Sequence, residues 1–236
     1  MRKGIGHDAC SLKEAPDWTP LKALADRQGL GAVVLDGLDA LQGLSCSNGS
    51  IMQEAIPLQM KLEWIGEVLQ NYEQRYMAYE RAIETLAGWY SLHGFQMMVL
   101  KGYACSLDWP CPKHRPCGDI DIWLFGKQKE SDRNLSNDGI KIDTSEHHHT
   151  VFYWQDFMVE NHYDFVNVHA HRSSKELEVV FKELGQDDSP IVEVNGEKIY
   201  LPSPDLHALF LVKHMVSHFA AAEITLRQVL DWAFFV

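Results

Sequence analysis

Gly118-Asp119-Ile120-Asp121, running on into Ile122-Trp123-Leu124-Phe125, decides how the rest of the chain is read. Asp119 and Asp121 are two residues apart, so on a strand both project from one face while Ile120 and Ile122 turn to the other. Two carboxylates side by side on a rigid strand repel each other unless a cation lies between them. Hard divalent ions, magnesium above all, favour such oxygen pairs and keep coordination positions open for phosphate. Phosphoryl and nucleotidyl transfer need that arrangement. A solvated strand edge can carry the same Asp-x-Asp pattern with no chemistry at all, so the surroundings have to decide.

Working outward towards the N-terminus, Phe95 to Leu100 is a short apolar run bounded by glycines and is expected to be a strand. Lys101-Gly102 closes it, and Tyr103 to Trp109 can form a helix. Backbone N–H groups at such a turn, together with a lysine, can hold phosphate oxygens. Pro110, Pro112 and Pro116 make the next segment an extended loop carrying Arg115, six residues before Asp121 and able to fold over the same site. Upstream, Leu62, Ile65, Leu69, Tyr72, Tyr76, Tyr79, Ile83, Leu86 and Tyr90 alternate steps of three and four, the stripe of one long helix, with Gly94 as its cap. Two shorter helices are expected before it, one from Trp18 past Leu21, Leu24 and Ala25 to Gly29 and Gly31, one over Val33–Leu41. Ser45–Ser50 reads as a loop, and residues 1–16 as loosely packed.

Beyond Phe125, a polar helix is expected over Lys127–Leu135 and strands at Thr150–Trp154 and Tyr163–His171. The second alternates: Val166, Val168 and Ala170 point one way, Phe165, Asn167, His169 and His171 the other. A helix near Lys175–Leu184, a hairpin near Ile191–Tyr200 turning at Asn195-Gly196, a helix capped by Ser203 and running to about His218, and a last helix from about Glu223 complete the chain. The expected organisation is a helical N-terminal region over residues 1–94, an α/β core over 95–201 and a helical C-terminal region over 202–236 that is open to continuing past Val236.

The bulk numbers set limits. The 236 residues suffice for one large domain or two small ones, and the net charge of −12 argues against a broad nucleic-acid footprint. No apolar run approaches a membrane span, and no apolar segment follows Arg2 and Lys3 as it would in a secretory leader. Cys10, Cys46, Cys105, Cys111 and Cys117 are odd in number and irregularly spaced, which suits reduced thiols in a cytoplasmic protein better than a disulfide framework.

The order of strand, glycine turn, helix, arginine loop and Gly-Asp-x-Asp strand resembles the nucleotidyltransferase superfamily that includes DNA polymerase β and the antibiotic nucleotidyltransferases. The fuller string, Val99-Leu100-Lys101-Gly102, then Trp109-Pro110-Cys111-Pro112-Lys113-His114-Arg115, then the aspartates, resembles the uncharacterised nucleotidyltransferase family of bacteria, with its Leu-Lys-Gly, Tyr-Pro-x-Pro-x-x-Arg and Gly-Asp-Ile-Asp signature. The Leu24–Leu30 stretch, His207, Lys213-His214 and Arg227 to Asp231 fit it more softly. The resemblance implies an α+β nucleotidyltransferase fold, a mixed β-sheet flanked by helical N-terminal and C-terminal regions. It implies transfer of a nucleoside monophosphate from an NTP to a small-molecule or protein acceptor, with Mg2+ or Mn2+ held by Asp119 and Asp121. Lys101, Gly102 and Gly118 would hold the triphosphate, and Arg115 would neutralise phosphate or brace its loop.

The family usually has a third carboxylate on a neighbouring strand, in a Val-Glu-Ile-His-like string. Val166-Asn167-Val168-His169 is the string read as its match here, which puts Asn167 in the acid's place. Asparagine can offer an oxygen but neither a negative charge nor a general base. Glu160 and Asp164 are near in sequence, and by alternation Asp164 faces the other side. His169, on the face of Asn167, is the substitute base. The competing reading is a nucleotide- or partner-binding module on the same fold that has lost catalysis. A third is a metal-dependent hydrolase built on the histidines, since His147-His148-His149, His162, His169 and His171 crowd one stretch, and His214 and His218 lie a helical turn apart. Polar lining of a cleft is the plainer expectation for them.

Overall fold

The computed structural model of the chain describes residues 5–6, 16–42 and 56–236. The loop expected at Ser45–Ser50 and most of residues 1–16 lie outside them, as do Cys10 and Cys46; Cys105, Cys111 and Cys117 are free thiols.

A six-stranded mixed sheet organises the centre. In chain order its strands are β1 (Met98–Val99), β2 (Ile120–Trp123), β3 (His149–Trp154), β4 (Phe157–His162), β5 (Ile191–Val194) and β6 (Glu197–Tyr200), and across the sheet they run β3-β4-β2-β1-β6-β5. The aspartate strand β2 is therefore interior, antiparallel to β1 and parallel to β4. The last two strands form the expected hairpin: Asn195 and Gly196 both take positive φ, 51° and 97°, as a two-residue primed turn requires.

Alternation along β2 sorts its two faces. Ile120 and Ile122 join Val99 and Val159 in a core closed by Tyr76, Tyr79, Ile83, Leu86 and Tyr90 from helix α4 (Arg75–Leu92). On the opposite face Trp123 joins Met98, Leu100 and Phe165 under α7 (Arg172–Leu184) and α8 (Pro204–Ala220), through Phe181, Leu206 and Phe210. The helices between are α5 (Tyr103–Ser106) and α6 (Gln128–Asn137), and α9 (Leu226–Phe235) ends the described chain. Ser203 caps α8 and Thr225 caps α9.

Helices α1 (Trp18–Arg27), α2 (Gly31–Gln42) and α3 (Leu58–Val68) build a second core around Trp64, into which Trp109 and the α9 residue Leu230 insert. The long helix is continuous from α3 into α4 through a π-helical segment, Leu69–Gln74. Its apolar stripe follows the expectation from Tyr76 onward. Upstream, Leu62 and Leu69 are 56% and 50% exposed while Trp64 and Val68 are buried. Steps of four from Trp64 through Val68 and Tyr72 to Tyr76 outrun a 3.6-residue turn, and the wide π segment accommodates the excess.

The expected strand Tyr163–His171 is not a strand. Pairing stops at His162, the end of a hairpin whose turn is Gln155-Asp156. Past that point side chains satisfy the backbone: the Glu178 carboxylate accepts from Phe165 N at 2.9 Å and Val166 N at 3.0 Å, and Asn167 Oδ1 accepts from His169 N at 3.0 Å. Local bonds of this kind compete with a ladder and turn the chain into α7. Among the described residues, no helix is long and apolar enough to cross a membrane.

The arginine loop is pinned by a histidine. His114 Nδ1 lies 2.6 Å from Asp36 on α2 and Nε2 3.1 Å from Glu73 in the π segment. The hydrogen bond to Asp36, opposed by burial and joined by that to Glu73, holds the His114 pKa above its ordinary value. A folded-state pKa above the unfolded one contributes stability that is complete below about 6.5 and lost as pH rises through the folded value. The expected result is that His114→Gln lowers Tm at pH 6 and much less at pH 9; equal losses at both would refute a charged His114.

Candidate active site

The site lies on the α8 side of the sheet and begins at β1. The chain leaves Val99, pairs Leu100 N with Asp121 O at 2.9 Å, and turns at Gly102, whose φ is +62°. A Cβ at Gly102 would collide with Tyr79 Oη, the hydroxyl that donates to the Asp119 carbonyl at 2.8 Å. One tyrosine from α4 thus fixes the lysine turn and the aspartate strand together. Gly102→Ala combines left-handed strain with overpacking, roughly 2–5 kcal/mol. Gly118→Ala is the control, since nothing lies within 4 Å of its added Cβ. Thermal unfolding should show a large drop for the first and little for the second.

Lys101 stands between the two aspartates. Its Nζ lies 3.3 Å from Asp119 Oδ2 and 3.1 Å from Asp121 Oδ1. Burial would depress this ammonium, but the Asp121 and Asp119 charges outweigh it and hold its pKa above the ordinary value. Asp121 is 1% exposed, and its second oxygen, Oδ2, is buried with no hydrogen-bond partner. A carboxylate oxygen left bare in the interior is costly, and a hard cation is the partner that suits it. Asp119, at the mouth, is more open.

A third carboxylate faces this pair. In the parallel ladder Asp121 is in register with Glu160 of β4, and His162 lies two residues further on the same face. His162 Nε2 lies 3.1 Å from Asp121 Oδ1 and 3.5 Å from Glu160 Oε2. Burial would raise the Glu160 pKa, yet the hydrogen bond from His162 and the Lys101 charge bring it down to about 2. His162 is raised: burial opposes its charge, and the bonds to Asp121 and Glu160 favour it. Asp121, Glu160 and His162 each offer one ligand atom within 4.8 Å of the others.

Two cations come from the C-terminal helices. Burial, reinforced by Lys101, lowers the pKa of Lys213 on α8, and Asp121 and Glu160 are among the charges it feels. Arg227 on α9 donates from Nη1 to Pro116 O at 3.4 Å while its Nε is buried with no partner. Lys101, Gly102, Gly118, Asp119, His214 and Arg227 line one cleft. Burial, then Lys101, drives His214 down to about 3, so it enters the cleft as a neutral ring.

Arg115 also borders that cleft, but its guanidinium is spent. Nε donates to Asp231 Oδ1 at 2.7 Å and Nη2 to Asp231 Oδ2 at 2.8 Å, a buried two-pronged pair joined by Trp109 Nε1 at 2.9 Å. Of the two roles expected for it, this geometry fits bracing the loop.

Asn167 and His169 are not brought to this face. The strand on which that placement relied does not form, since β4 ends at His162; Asn167 caps its own turn, and His169 is exposed with its ring 6.1 Å from that of His147. The residues beside Asp121 are Glu160 and His162. Val159-Glu160-Asn161-His162 is a closer Val-Glu-x-His string than Val166-Asn167-Val168-His169, so the signal for the third acid was in the sequence, one hairpin earlier. Lys213 and Arg227 are marked in the sequence only by the soft family match, and the packing of α8 and α9 brings them towards the site.

The profile of a family described as uncharacterised nucleotidyltransferase matches residues 14–236. The chain belongs to this family. No curated protein matches. Among solved structures, an antigenic nucleotidyltransferase-like protein from Paracoccidioides brasiliensis is similar at TM-score 0.45 and 14% identity, over 66% of this chain and 74% of that one. ANT(2")-Ia in complex with adenylyl-2"-tobramycin is similar at TM-score 0.38 and 10% identity, over 75% of this chain and 87% of that one. At those values neither speaks to what this family member does.

Proposed function

We propose that the chain transfers a nucleoside monophosphate from an NTP to a small-molecule or protein acceptor, with Mg2+ or Mn2+ bound by Asp119, Asp121 and Glu160. The observation that carries this reading is the bare Oδ2 of buried Asp121, facing a second strand that presents Glu160 in register. Such an ion, when bound, polarises the phosphate under attack and neutralises its developing charge. The protein's own residues do the rest. Lys101, which lines the cleft, would be free to hold triphosphate oxygens once its aspartate partners served as ion ligands. Since α5 is a single turn, that attraction rests on the lysine charge and the Gly102 amide more than on a helix dipole. Arg227 adds a cation at the cleft, Lys213 stands within charge range of Asp121 and Glu160, and the absence of a Cβ at Gly118 leaves room for the phosphate chain. Glu160, its pKa held low against burial by His162 and Lys101, offers an anionic oxygen that suits an ion ligand better than a proton acceptor.

A catalytically silent nucleotide-binding module draws its support from Asn167 in the acid's place, and Glu160 in register with Asp121 favours the enzyme instead. The test is incubation with NTPs labelled at the α or the γ phosphate and pools of candidate acceptors. Nucleotidyl transfer moves α-label and releases pyrophosphate. Movement of γ-label alone would replace the proposal with phosphoryl transfer, and binding without either would favour the module.

A further inference from the structure

The histidines beside the carboxylates have a chemistry of their own. His149 opens β3 and is paired across the ladder with His162, the last residue of β4. Their ring centroids are 5.2 Å apart, and the ring of His148, from the loop just before β3, lies 4.4 Å from His149 and 5.9 Å from His162. One nitrogen from each of the three falls within 4.8 Å of the others. His148 Nδ1 and His149 Nδ1 are both buried with no hydrogen-bond partner. Two bare imidazole nitrogens next to a third ring are unusual in an interior, where polar atoms are ordinarily bonded.

We propose that His148, His149 and His162 form a binding site for a transition-metal ion of the zinc type, distinct from the oxygen-rich site at Asp119 and Asp121. Imidazole nitrogen suits Zn2+ and Co2+, whereas magnesium prefers oxygen. Three histidines leave a fourth, open position on a tetrahedral ion. Zn–N bonds near 2.0–2.1 Å put ligand nitrogens roughly 3.4 Å apart, so from separations within 4.8 Å the rings need close by at most about 1.4 Å. His148 can move because it sits in the loop, while its carbonyl, accepting from Tyr163 N at 3.1 Å and Asp164 N at 3.0 Å, keeps it at the end of β4. With Nδ1 of His162 turned to the ion, its Nε2 contact to Asp121 Oδ1 at 3.1 Å would be the second contact that orients a ligating imidazole. Because His162 also touches Asp121, an ion on the histidines places positive charge next to the proposed nucleotidyl-transfer site.

The inference stands apart from nucleotidyl transfer, and its test reads metal binding alone. The whole chain, stripped with chelator, is titrated with Co2+ and followed by visible absorption, then competed with Zn2+. The expected result is the intense visible spectrum of four-coordinate cobalt at one ion per chain, displaced by Zn2+. His148→Ala and His149→Ala, shown by circular dichroism to be folded, should each weaken Co2+ binding by at least about tenfold, and Asp119→Asn should leave the spectrum unchanged. His148→Ala, in the loop, keeps the test decisive if the strand variant fails to fold. A weak octahedral spectrum only, or a spectrum lost in Asp119→Asn and kept in His148→Ala, would overturn the proposal.

Discussion

Asp121→Asn is expected to abolish nucleotidyl transfer, by roughly 10³-fold or more, with the fold retained. A bound metal contributes several kcal/mol of charge stabilisation in the transition state, and each 1.4 kcal/mol is about a factor of ten in rate. The substitution keeps the volume of a side chain that is 1% exposed, so packing is preserved. It removes the charge of the oxygen that has no partner and of the oxygen shared by Lys101 and His162. Asp119 still pairs with Lys101, which limits the cost to stability. Loss should therefore appear in kcat and kcat/KM together, as for an interaction made in the transition state. Pyrophosphate release per enzyme, beside a circular-dichroism melt, checks both halves. Activity within a few-fold of wild type would remove Asp121 from the chemistry.

Asp231→Ala carries the largest expected cost to stability. Removing one partner of a buried, hydrogen-bonded ion pair typically costs about 3–5 kcal/mol because the other charge is left bare. Arg115 would keep only its contacts to Pro116 O and Cys117 Sγ, and Trp109 would lose its acceptor as well. At about 2–4 °C per kcal/mol for a chain of this size, Tm should fall by roughly 6–20 °C. Arg115→Ala should cost a similar amount. The double variant should lie well short of the sum, since two residues of one pair couple strongly. The loop from Trp109 to Gly118 leads directly into Asp119, so a loosened brace should also weaken NTP binding. Additive losses in the double variant would show that the pair does not act as a unit.

The local parts of this site are legible in sequence because they are set by short-range geometry. Gly118-Asp119-Ile120-Asp121 reads as a strand with both acids on one face, and Lys101-Gly102 reads as the turn that delivers a lysine. The Asn195-Gly196 hairpin and the Ser203 cap are equally local. Asn167 illustrates where that reading stops. Residues 163–171 alternate in polarity as a strand would, but Phe165 and Val166 are adjacent and both buried, and Glu178, twelve or thirteen residues away, takes up their N–H groups. Period alone did not separate this segment from the true strand ending at His162. The upstream half of the long helix departs from the expected stripe for a comparable reason: the successive steps of four that mark the π segment, Trp64, Val68, Tyr72 and Tyr76, are hidden among residues that also fit alternating threes and fours. Arg115 was legible as a site-region residue, but its partner lies 116 positions away, and no spacing rule reaches that far.

The central claim is that Asp119, Asp121 and Glu160 together hold a divalent ion with nucleotide. Equilibrium binding of Mn2+ in the presence of NTP, for the wild type, Glu160→Gln and Asn167→Asp, tests it most directly. Magnesium-type sites draw on substrate phosphates for part of their oxygen shell, so the wild type should bind Mn2+ more tightly with NTP than without. Glu160→Gln should weaken that ternary affinity by about tenfold or more, and Asn167→Asp, in its turn beyond β4, should leave it unchanged. If Glu160→Gln binds as the wild type does and Asn167→Asp binds more tightly, the third ligand is at Asn167 and the assignment made from the β2–β4 register is wrong.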